Sequence, residues 1–214
     1  MSRRAERAAR RAELSGSGPV RAGGVAPRWP GATRAFALFG EVLLTGVIVA
    51  VASVPLITVP FALALGHRHL RRYLAAEESG WAALLHDARH VLRSLPLGLA
   101  ALVLAVALAV DLALAIDAVV PGAPIVGLAG CAGVALLVLA LVTAARGWSP
   151  ETGWRAALRG LPRIWRDDVA GALYVIAAAG FVAVVTWQLP PLVVPALGCL
   201  VFASLAVPER PRRD

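Results

Sequence analysis

His86 and His90 stand four residues apart in a stretch with helical apolar spacing, the separation at which two imidazoles on one helix face can share a zinc ion when further ligands converge. The chain repeats this stretch 73 residues later, and the repeat puts Arg159 and Arg163 at the same two positions. Arginine does not ligate a metal, so a cationic face accounts for both copies and no metal is expected. Glu41 and Asp111 are the carboxylates well inside apolar runs, where a charge is costly unless paired, protonated or hydrated. Glu41 lies about 10 Å in from Arg34 by helix rise, close enough to a membrane surface to snorkel or pair. Asp111 lies deeper: it could hold a cation or polar substrate inside a bundle, or cap a neighbouring helix or bond Thr45 or Thr186, and the structural role is favoured. Neither carboxylate has a counterpart in the repeat. Cys131 and Cys199 sit inside apolar runs and read as packing residues. With no Ser-His-Asp spacing, Gly-rich phosphate loop or metal-spaced cysteine pair, the chain is expected to be non-enzymatic and to bind no cofactor.

The elements that would carry these residues are membrane helices. Of 214 residues 59% are apolar, and the mean hydropathy of +0.74 is that of an integral membrane protein. The net charge of +8 therefore points to placement against a bilayer and not to nucleic acid. Residues 1–34 hold eight arginines and no apolar period, and read as a disordered basic cytoplasmic tail with a short Ala/Arg helix near Arg3 to Leu14. Six spans are expected at about 35–54, 60–76, 95–119, 125–145, 169–189 and 191–207, followed by a cytoplasmic tail at 209–214. Uncharged, proline-rich turns separate them in pairs: Pro55 to Pro60, Pro121 to Pro124, and Leu189 to Pro191. The second span is the weakest, because it turns cationic at His67, Arg68, His69, Arg71 and Arg72.

Glu78-Ser79-Gly80-Trp81 returns as Glu151-Thr152-Gly153-Trp154, and apolar residues follow each tryptophan at the same helical steps. Two amphipathic helices result, Trp81 to Leu95 and Trp154 to Arg166, one at the base of each of two tandem units. All 21 basic residues are arginine, and all fall on the side that carries both termini and both amphipathic helices. That side is expected to be the cytoplasm. The fold expected is an all-α bundle of six transmembrane helices in two parallel pseudo-repeats. Contact with lipid or a partner is expected through Trp81, Leu84, Leu85, Arg89 and Arg93 in the first amphipathic helix. In the second it falls to Trp154, Arg155, Leu158, Arg159, Arg163, Trp165 and Arg166. Gly127, Gly130, Gly133 and the run Ala177 to Gly180 suggest close helix contact.

The turn Ser53-Val54-Pro55-Leu56-Ile57-Thr58-Val59-Pro60 is similar to one found in the YesL family of bacterial membrane proteins. The arginines ending the second span, the pair Glu78 and Gly80, and the amphipathic helix from Trp81 extend the resemblance over about residues 36 to 100. Pro55, Thr58 and Pro60 carry its turn; the chain departs from the family at Val59, where a glycine is usual, and in its less aromatic amphipathic helix. The resemblance implies an accessory role beside a carbohydrate ABC transporter, with its permease or ATPase as partner, in the bacterial inner membrane. It implies no catalytic residue. A self-contained small transporter or substrate-capture subunit, with Asp111 or Glu41 in a central path, is the alternative.

Overall fold

A computed structural model describes residues 35–77, 81–117 and 121–210, which are helical with no strand among them. In order these form α1 (Ala35–Ala52), α2 (Val59–Leu74), α3 (Trp81–Ala88), α4 (Val91–Ile116), α5 (Ala123–Gly147), α6 (Gly153–Asp167), α7 (Val169–Gln188) and α8 (Val193–Ala206). The expected tail helix near Arg3 to Leu14, the tetrad residues Glu78 to Gly80 and the last four residues lie outside the described residues, as does the Trp81 side chain. Five segments are long and apolar enough to cross a membrane: Ala35–Ala52, Arg93–Ile116, Ala123–Gly147, Val169–Gln188 and Pro190–Glu209. The chain is thus built as a multi-pass membrane protein.

The expected second span, 60–76, is not one of the five. As α2 it has 16 residues, about 24 Å at 1.5 Å per residue against roughly 30 Å of hydrocarbon. Yet α2 is the centre of the bundle. Every residue from Pro60 to His67 is buried, and α1, α3, α4, α5 and α8 all pack on it. Its first residues come from a turn that the sequence dictates: the Thr58 hydroxyl lies within hydrogen-bond reach of the Ala52 and Pro55 carbonyls, tying the end of α1 to the start of α2. Pro60 takes a position where no helical N–H bond is needed. At the other end Glu77 N–H donates to the Arg72 carbonyl and Ala76 N–H to that of Tyr73, both at 2.9 Å, a Schellman motif with Ala76 at φ 56° where glycine is the usual occupant.

The two hairpins are not equal. The α1–α2 turn packs against α4 near that helix's start, where a Cβ on Gly98 would overlap the Ile57 carbonyl. The end of α5 in turn abuts α2: Trp148 meets the Phe61 ring edge-on at 6.1 Å, with the Arg68 guanidinium 5.9 Å over the Trp148 ring. A strict repeat would match α2 to α5, but α5 has 25 residues. The amphipathic helices differ too. The second, α6, runs over 15 residues much as its periodicity predicts, whereas the first ends at Ala88 after 8. There Asp87 and His90 carbonyls accept from residues three ahead, His90 and Arg93, and the chain restarts as α4.

Small residues set the close contacts. A Cβ on Gly46 would overlap the Val194 carbonyl and one on Gly198 the Val42 carbonyl, so α1 and α8 lie antiparallel in backbone contact. Gly130 and Gly133 admit Leu112 and Leu108 of α4, as their spacing suggests, while Gly180 faces open space. Gly46→Ala should therefore cost about 1–3 kcal/mol of stability. Gly40→Ala, with nothing within 4 Å, should be neutral or slightly stabilising. Thermal unfolding of the purified protein in detergent separates the two.

Candidate functional site

Polar side chains gather where α2 ends. His67 is fully buried; its Nδ1 lies 2.7 Å from the Leu63 carbonyl, which fixes that nitrogen as the donor, and its Nε2 lies 2.6 Å from Ser204 Oγ on α8. The Ser204 hydroxyl also lies 2.8 Å from the Val201 carbonyl, so its one proton serves one acceptor at a time. His69 Nε2 reaches Glu41 Oε2 of α1 at 3.1 Å. Arg71 donates to the Arg146 carbonyl at the end of α5, and Arg146 donates to the Ser204 carbonyl at 3.1 Å. One helix thus binds the ends of three others.

Arg68 and Arg72, one turn apart, converge on Asp87 of α3: Nε of the first and Nη2 of the second each lie 2.9 Å from Oδ2. Asp87 is 1% exposed, and its Oδ1 has no hydrogen-bond partner among the described residues, the His86 ring lying 3.8 Å away. Helical periodicity assigns Asp87 to the solvated side of its helix; the structure corrects this, because the two arginines pull it inward. Beyond α6, Asp168 caps α7 by accepting the Gly171 N–H at 2.8 Å, and Arg210 binds both its carboxylate oxygens while stacking 5.3 Å over Tyr174. That pairing raises the Arg210 pKa above its usual value. The expected free tail from 209 is therefore tied to the bundle through Arg210.

The contact residues expected in the amphipathic helices separate into two sets. In α6, Trp154 and Leu161 are buried and Ala157, Leu158 and Trp165 pack against the core, with Trp154 stacked 5.6 Å on Trp148. That face packs on the protein's own core. Arg155, Arg159, Arg163 and Arg166 point outward, Arg163 3.7 Å from Asp167 and Arg166 bonded to the Pro162 carbonyl. On the first copy Leu84 packs inward, and Leu85, Arg89 and Arg93 are exposed. Among the described residues no cluster of three potential metal ligands occurs.

Glu41 and Asp111 do not converge. Glu41 is half-buried on His69, while Asp111 is exposed on α4 without an ion-pair partner among the described residues. Thr45 turns back to its own helix at the Glu41 carbonyl, 2.8 Å away. The buried Thr186 hydroxyl has no hydrogen-bond partner among the described residues and lines an apolar cleft of about 940 Å³ between α5, α7 and α8, with Val138, Ile176 and Trp187. Sequence reading passed over Trp148, Arg146, Ser204 and Arg210. The spacing of Arg68 and Arg72, two guanidinium groups on one helix face, was the available sign of a buried carboxylate. Searches of family models, curated proteins and solved structures return no match.

Asp87→Ala leaves two partly buried guanidinium groups facing each other and should cost about 3 kcal/mol. Asp111→Asn, on an outward face of a membrane span with no ion-pair partner among the described residues, removes a costly charge and should leave stability unchanged or slightly raised. Denaturation of both variants in detergent gives the comparison; equal losses would contradict the assignment.

Proposed function

We propose that this protein is a non-enzymatic accessory protein of a membrane transport system, meeting its partner through the cationic outer face of α6. The observation that carries the reading is the division of that helix: its apolar stripe is taken up by its own bundle, leaving Arg155, Arg159, Arg163 and Arg166 facing outward. Such a face costs little when exposed and offers charge complementarity to an acidic surface. The filled centre agrees with it. Phe61 to Leu70 of α2 occupy the middle of the bundle, and the polar groups there bind one another. The resemblance around Pro55 to Pro60 makes a carbohydrate ABC permease or ATPase the favoured partner.

The same reading has six passages, α2 returning the chain that α1 carries across, as two parallel units in a bacterial inner membrane with both termini cytoplasmic. Its support is that all arginines then lie on one side, and that Arg71 at the end of α2 touches Arg146 at the end of α5. A self-contained transporter is the second reading. It draws on the apolar cleft and the unpartnered Thr186 hydroxyl, since Asp111 faces outward and Glu41 is engaged by His69.

Replacing Arg155, Arg159 and Arg163 with glutamate should abolish stoichiometric recovery of a transporter subunit from native membranes, with the melting temperature within a few degrees of the parent. Leu158 and Trp165 to polar residues should instead destabilise the fold. Full recovery of the partner with the triple variant would refute α6 as the contact.

A further inference from the structure

Arg68, Arg71 and Arg72 line a cavity of about 230 Å³ with Ala75 and Glu77 at the end of α2. Arg68 and Arg72 meet the same Asp87 oxygen, and Arg71 meets one carbonyl. A guanidinium carries five N–H donors, so most of the donors of this trio have no protein acceptor among these contacts. The lining carries three cations and one carboxylate, Glu77, while Asp87 and Glu151 outside it partly offset the charge of Arg68 and Arg72. Ala75 and Glu77, from the Schellman turn that ends α2, complete the lining. The volume is below the roughly 300–1,000 Å³ of cavities that enclose a drug-sized ligand, which suits a small anionic group.

We propose that this cavity binds a phosphate group, recognised by the planar forks of the three arginines. The group belongs to a phospholipid headgroup or to a soluble phosphate compound. No residue of α6 lines the site, and the proposal does not depend on the accessory reading. No bond is made or broken in it.

Two arms on the full-length protein in detergent distinguish the sources. In one, native mass spectrometry measures retention of added phosphatidylglycerol; in the other, the melting temperature is followed as inorganic phosphate replaces chloride at equal ionic strength. At least one probe should bind. Arg71→Gln, which spares the Asp87 bridge, should weaken it about tenfold, whereas Arg159→Gln on α6 should change it less than about twofold. Lipid retention without a phosphate shift identifies a headgroup, and the reverse identifies a soluble compound. Should Arg71→Gln not fold, Arg71→Lys, which keeps the charge and loses the fork, should weaken binding about threefold. Absence of binding to the parent protein by both probes, equal weakening by Arg71→Gln and Arg159→Gln, or unchanged binding in the Arg71 variants would overturn the proposal.

Discussion

A helix that is apolar for its first half and cationic for its second lies at the centre of an apolar bundle, and the remaining helices are arranged to satisfy it. Burying histidine or arginine without partners costs several kcal/mol per group. In α2 the buried His67 is met by Ser204 of α8, His69 by Glu41 of α1, and Arg71 by the α5 carbonyl of Arg146. These bonds fix which helix ends lie together. The glycine contacts between α1 and α8 then bring two of those helices into backbone contact beside it.

The consequence is an asymmetry between the ends of the molecule. The proline-rich turns after α1 and α7 hold no charge, while the ends of α2, α5, α6 and α8 carry arginines, some bound to Asp87, Asp168 or backbone carbonyls and others exposed on α6. Aromatic contacts join the same region: Trp148 bridges Phe61 of α2 and Trp154 of α6, with Arg68 over its ring.

Much of this was legible in the residues. Apolar length located α1, α4, α5, α7 and α8, and paired prolines located the turns, because both signals are local. The apolar steps from Trp154 located α6, whose stripe is governed by the same 3.6-residue period whether it faces lipid or protein. What it packed against was not legible for that very reason. The importance of α2 was also hidden: its bonds join residues 28, 75 and 137 apart, and no local pattern specifies such partners. The burial of Asp87 was not legible because the period describes the helix alone and takes no account of two arginines on its neighbour. The internal repeat informs only locally, since similarity around Trp81 and Trp154 does not extend to the lengths of the helices around them.

The central claim is that α2 returns the chain, so that the end of α2 and the end of α5 lie on one side of the membrane. With Cys131 and Cys199 replaced by alanine, single cysteines in E77C, E151C and P121C can be probed with a membrane-impermeant maleimide on intact and lysed cells. The account predicts that P121C labels in intact cells and that E77C and E151C label only after lysis. Labelling of E77C in intact cells, with E151C still protected, would place the two ends on opposite sides and contradict it.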